Sequence, residues 1–241
     1  KIITYIIIYV FYKLLLVIVL NLVLKQPYSF SLFSESEAPW YLLAIVIWIV
    51  MTNLVKDVKP LFVFLLSIVC SLFVGYDASI TDQLCLSRVI VFFPFFLAGY
   101  YLSFDKIKSF IEKLHERKWR FGLALLLFCI VGFAFIYFGD ELYFLRPLFT
   151  ARNPYIYFNL PFDIPLSAVL LRFFWMLYNA FMGILIFTLV PLKRKFYTKY
   201  GSRTLQIFIL HFVIAAVVGY SFISRSVISV FGNYSVFEIQ R

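Results

Sequence analysis

An all-α, polytopic transmembrane helical bundle of about seven spans is the fold class this sequence predicts, and three observations predict it. The first is composition: 63% of the 241 residues are hydrophobic, 22% are aromatic and only 14% are charged, against roughly 25% charged in a soluble domain. A soluble chain of this length has too little interior to hide that much apolar surface, so lipid is the expected solvent. The second is that the apolar residues fall into runs near the length needed to cross a hydrocarbon core, around 20 helical residues for about 30 Å. The third is that the basic residues collect in alternate connections between those runs, as the positive-inside rule requires of cytoplasmic loops.

The expected spans are 2–24, 39–55, 60–76, 88–104, 119–138, 167–190 and 205–223, the second being the shortest. All are read as helices, because an isolated strand in lipid leaves its backbone groups unpaired. The connection 56–60 carries Lys56 and Lys59; 105–118 carries Lys106, Lys108, Lys113, Arg117 and Lys118; 191–204 carries Lys193, Arg194, Lys195, Lys199 and Arg203. These three share one face, expected to be cytoplasmic. The connections 25–38, 77–87 and 139–166 mix Lys25, Arg146 and Arg152 with Glu35, Glu37, Asp77, Asp82, Asp140, Glu141 and Asp163, and belong outside. Four prolines, Pro147, Pro154, Pro161 and Pro165, forbid a long regular helix in 139–166. An odd number of spans sets residue 1 inside and residue 241 outside, natural for a piece lacking earlier helices. No repeat or linker divides the chain, so 1–241 reads as a single integral-membrane domain.

Several function classes recede on the same grounds. The net charge of +10 follows the loop pattern and not a nucleic-acid-binding patch. Cys70, Cys85 and Cys129 have no CxxC spacing, and His115 and His211 are far apart, so no metal site is expected. P-loop, GxGxxG, GxSxG and HExxH patterns are absent.

Polar residues inside apolar runs are the candidates for function. Arg88 opens the fourth span, just before FFPFFLAGYYL, where Pro94 and Gly99 predict a kinked, closely packed helix. Either it snorkels to a headgroup or it turns inward to hold an anionic or hydroxyl-rich substrate. Arg172 lies a short way into the sixth span, one turn before Trp175, with the same two readings open. His211, in GSRTLQIFILH, is the strongest internal polar signal, as a helix bridge or as a proton-transferring group. Arg146 and Arg152 are weaker candidates because loop charges need no special explanation. His115 is expected to be a solvated loop residue, and Trp40, Trp48, Trp119 and Trp175 to be interfacial anchors.

In combination, APWYLL at 38–43, Leu86-Ser87-Arg88 with FFPFFLAGYYL, the basic loop that follows and GSRTLQIFILH resemble the membrane-bound acyltransferase 3 family, its fucose-4-O-acetylase-like and polysaccharide O-acetyltransferase members in particular. The resemblance implies a bacterial plasma-membrane protein of about ten helices. Acetyl-CoA would be the acyl donor, and a hydroxyl of a cell-envelope or surface polysaccharide the acceptor. It also implies no metal, with the lipid bilayer and the glycan acceptor as partners and no nucleic acid. Arg88 matches the arginine before the family's Pro-Phe-Phe-Leu-x-Gly-Tyr segment, and His211 the histidine near the start of the last conserved helix. Arg88, Arg172, His211 and Trp40 are then substrate-cavity candidates. The family's amino-terminal histidine and Arg-x-x-x-Arg motif are not matched here, so the catalytic residues are expected upstream and this chain alone is expected to be inactive.

The rival reading is a transporter or flippase for a glycan intermediate, using the same arginines and rings to hold a sugar-phosphate and its kinked helices to alternate access.

Overall fold

The computed structural model describes residues 2–23, 30, 32–33, 40–80, 83–158, 166–191, 198–201, 203–207, 210–211 and 214, the side chains of Phe104, Lys199 and Tyr200 excepted. Among these residues the chain is all-helical, with no strand. The helices are α1 (Ile2–Val17), α2 (Trp40–Leu54), α3 (Pro60–Phe73), α4 (Leu86–Tyr101), α5 (Phe104–His115), α6 (Lys118–Tyr137), α7 (Arg146–Thr150), α8 (Ser167–Leu189) and α9 (Thr198–Gly201). A wider π-type turn, Ile18–Val23, continues α1, and 3-10 turns follow α3 at Val74–Tyr76 and flank α7 at Tyr143–Leu145 and Tyr155–Tyr157.

Packing divides the chain into two compact units, Ala44–Arg194 and Lys1–Leu43 with Lys195–Arg241. In the second of these, α1 buries Tyr9, Tyr12, Leu16, Val19 and Leu20, a stripe at helical spacing. Tyr9 Oη donates to the Leu32 carbonyl at 3.0 Å. Lys13, one turn beyond Tyr9, is buried within this apolar helix.

The unit Ala44–Arg194 is built on the antiparallel pairing of α3 and α4. Pro60 starts α3, where a missing N–H costs nothing. Chain reversal after α3 uses a 3-10 turn, then a left-handed residue, Cys85 (φ 54°), immediately ahead of α4. Along α2 the buried residues Ala44, Trp48 and Thr52 recur every four positions, and Trp48 Nε1 donates to the Val89 carbonyl of α4 at 2.9 Å. Helix α8 lies against α3, α5 and α6. Tyr155, Phe158, Val91, Leu148, Val169, Trp175 and Met176 form the apolar core of this unit.

Among the described residues three helices are long and apolar enough to cross a membrane: Ile2–Asn21, Lys118–Tyr137 and Ser167–Leu189. A fourth arises only if α4 and α5, which meet at 93°, are one bent span. The expected count of seven is not confirmed among the described residues. The apolar runs at 39–55 and 60–76 yield helices of 15 and 14 residues, about 21–23 Å at 1.5 Å per residue. The run at 60–76 spends its last three residues on the 3-10 turn, and the one at 88–104 breaks at Leu102–Ser103. The seventh stretch, 205–223, lies mostly outside the described residues.

The basic connection 105–118 is a helix and not a loop. Ser103 caps α5 by accepting from the Lys106 N–H at 3.4 Å. Asp105 near its start, with Lys113 and His115 near its end, suits the helix dipole. Ile107, Phe110, Ile111 and Leu114 share one face opposite Lys106, Lys108 and Lys113, the pattern of a helix lying in a membrane interface. By contrast α6 buries only Ala124 fully and is exposed along most of its length outside the face that meets α8.

One expectation about FFPFFLAGYYL also changes, while helix α4 continues through Pro94. Gly99 has open space where a Cβ would sit, so it marks no close helix contact.

Candidate functional site: a buried arginine between three helices

The site begins with Ser71, Leu72 and Gly75 at the end of α3. Ser71 Oγ donates to the Val91 carbonyl of α4 at 3.1 Å and lies 3.7 Å from Met176 Sδ of α8. One small hydroxyl thereby joins three helices. A carbon added at Gly75 would lie 2.7 Å from the Tyr155 ring. The missing side chain is what lets that ring lie on the turn, so that Tyr155 Oη donates to the Leu72 carbonyl at 2.5 Å. Tyr76 and Phe158 meet the same ring edge-on, with centroids 5.0 and 5.2 Å away. Burial pushes the Tyr155 phenol up to about 12, outweighing the opposite pull of Arg172.

Arg172 enters this frame from α8 with no exposed surface. Its guanidinium carbon stands 4.5 Å from the Tyr155 ring centre and 5.9 Å from that of Phe158. Nη1 donates to the Ser71 carbonyl at 3.4 Å, while Nε and Nη2 are buried with no acceptor. A cation over a desolvated aromatic face gains on the order of 2 kcal/mol.

Arg88 is also buried, at 3% exposure, one residue after Ser87, whose Oγ donates to the Ala151 carbonyl at 2.6 Å. Ala151 holds the left-handed conformation (φ 51°) that ends α7. This bond therefore ties the start of α4 to the end of α7. Neither Arg88 nor Arg172 reaches the surface, which removes the snorkelling alternative for both. The other candidates lie elsewhere. Arg146 donates from Nη1 to Tyr143 Oη at 2.6 Å and packs on that ring at 5.5 Å; Arg152 is half-buried. Trp40 is half-buried at the start of α2, edge-on to Tyr41. His211 has helical backbone but is exposed, against the expectation of an internal histidine. Trp40 and His211 belong to one unit, and Arg88, Arg146, Arg152 and Arg172 to the other.

Other expectations are corrected by packing. Trp48 and Trp175 are core residues, each 4% exposed, and Trp175 sits among Phe92, Phe95 and Phe149. Trp119 is 59% exposed. His115 is half-buried, with Nδ1 2.9 Å from the Ile111 carbonyl and Nε2 buried without a partner.

Sequence reasoning missed Tyr155 and Ser71, which look like an ordinary loop tyrosine and helix serine. It also missed Lys13, although a lone charge inside a long apolar run was a visible signal. Among the described residues no cluster of three His, Cys, Asp or Glu is placed to hold a metal. Comparison of the chain with protein-family models, with curated proteins and with solved structures found no match.

Proposed function

We propose that this chain contributes to an integral-membrane O-acetyltransferase of a bacterial plasma membrane, which passes an acetyl group from acetyl-CoA to a hydroxyl of a cell-envelope or surface polysaccharide. The observation that carries the reading is Arg88, a guanidinium 3% exposed within the first turn of α4, directly ahead of the segment on which the family resemblance rests. An inward arginine at that position suits a cavity for an anionic or hydroxyl-rich substrate.

The chemistry is a simple exchange of acyl acceptors. A base takes the proton of the sugar hydroxyl, the oxygen attacks the thioester carbonyl, the carbon–sulfur bond breaks and CoA leaves as a thiolate that is then protonated. By the resemblance, the base is a histidine on an amino-terminal helix that residues 1–241 do not match. Arg88 is then a cavity residue and the isolated chain is inactive. The basic connections, including α5, face the cytoplasm on this reading, where acetyl-CoA approaches.

Acetyl transfer from radiolabelled acetyl-CoA to envelope glycan tests the proposal, in membranes holding an amino-terminally extended protein, the 241-residue chain, or the extended protein with Arg88→Ala, at matched expression. The expected outcome is transfer by the extended protein alone, reduced at least tenfold by Arg88→Ala. No transfer by a correctly inserted extended protein overturns the reading in favour of glycan transport.

A further inference from the structure

The two nitrogens of Arg172 that lack acceptors, Nε and Nη2, are the pair along one edge of the guanidinium plane. Their N–H bonds run parallel, and this edge takes two oxygens of a carboxylate or phosphate side by side. The face of the same group is covered by the Tyr155 ring at 4.5 Å, and its remaining nitrogen, Nη1, is turned to the Ser71 carbonyl. Protein groups thus hold the plane and orientation of the guanidinium and leave one edge unused. Three residues along α8, on the same face, the buried Trp175 Nε1 also lacks an acceptor. All of these orphaned atoms are donors, so what they lack is an electron-rich acceptor.

Water satisfies N–H groups but does not neutralise a unit charge. A guanidinium stays protonated in proteins, and a buried charge without a counter-charge carries a desolvation cost of several kcal/mol. Among the described residues no carboxylate pairs with Arg172: neither its hydrogen bond nor its ring contacts involve one.

We propose that Arg172 is an oxyanion-binding residue, whose Nε–Nη2 edge receives a phosphate or carboxylate group at the junction of α3, α8 and Tyr155. The site stands whether or not the protein transfers acyl groups. Its ligand is either a water-soluble anion or the headgroup of an anionic lipid, and the recognition chemistry is the same.

The test is thermal unfolding of the purified chain in an uncharged maltoside detergent at fixed ionic strength. Inorganic phosphate replaces chloride in one arm, and phosphatidylglycerol is added to the micelles in the other. Wild type, Arg172→Lys and Asp163→Asn are compared. Lysine keeps the charge and most of the volume but has no planar edge, so that variant folds and loses the response. A ligand at 100 times its dissociation constant stabilises by about 2.7 kcal/mol. An upward Tm shift of several degrees is therefore expected in wild type and less than a third of it in Arg172→Lys. A shift with phosphate assigns a soluble anion, and a shift with phosphatidylglycerol alone assigns a lipid headgroup; both support the site. An equal shift in Arg172→Lys, or none in wild type with either probe, overturns it. A response that appears only in Asp163→Asn also overturns it, because the arginine is then neutralised within the chain.

Discussion

Tyr155 is the residue on which the site turns. Its ring covers Arg172, its hydroxyl donates to the end of α3, and it occupies the space that Gly75 leaves. Replacement by phenylalanine keeps the ring and removes one hydrogen bond, a loss of about 1 kcal/mol. It also removes a titration. Burial raises the phenol from 10.0 to about 12, so folding favours the neutral form. That contribution is complete below pH 10 and is lost as the pH rises through 12. Unfolding measured in detergent as a function of pH is expected to show wild type losing more stability between pH 10 and 12 than Tyr155→Phe. Parallel curves for the two proteins would place the phenol at its ordinary value. Of the three residues at this centre, only Arg172 was legible in the sequence, since a charge in an apolar run stands out. Tyr155 is one of 17 tyrosines, and nothing local distinguishes the one that meets a glycine from across the fold.

At the scale of elements, the closing turn of α3 carries the strictest demand. With Gly75→Ala the new carbon overlaps Tyr155 at 2.7 Å, and the ring, hemmed by Tyr76 and Phe158, must shift. Overpacking of this kind costs about 1–3 kcal/mol. Denaturation in mixed micelles is expected to show a destabilised Gly75→Ala protein, with a smaller penalty when combined with Tyr155→Ala, which opens the space. Purely additive losses would mean that the two positions do not meet. Helix existence was well read from the sequence because apolar runs set the central residues of each element. Helix ends were read less well. Ser103 caps α5 where hydropathy counting carried the fourth span on to residue 104, and the charged composition of α5 hid an amphipathic helix inside what looked like a basic loop.

At the scale of the molecule, the thiols report whether the apolar exterior faces lipid. Cys70 on α3 and Cys129 on α6 are exposed, and Cys85 is 1% exposed. In membranes, Cys129 lies about 16 Å from the start of α6, deep in a helix that is long enough to cross. A charged, impermeant thiol reagent is therefore expected to leave Cys129 unmodified in intact membranes, because a thiol in hydrocarbon stays protonated and only the thiolate reacts, and to label it once the protein is unfolded in denaturant. Cys85 is likewise expected to resist until the protein unfolds. Rapid labelling of Cys129 by the impermeant reagent in intact membranes would show that α6 faces water.

Composition and the lengths of the apolar runs determined the all-helical architecture and the membrane-spanning length of three helices, because lipid leaves a backbone few ways to satisfy its hydrogen bonds. Intrinsic charge also marked Arg88 and Arg172 as candidates. Tertiary structure decided the rest: that both arginines are buried, that Trp48 and Trp175 belong to the core, that His211 is exposed, and that Tyr155 meets Arg172 across a turn opened by Gly75. Burial and ring stacking depend on which helices pack together. A hydropathy run records how much of a helix is apolar, but not which neighbour covers which face.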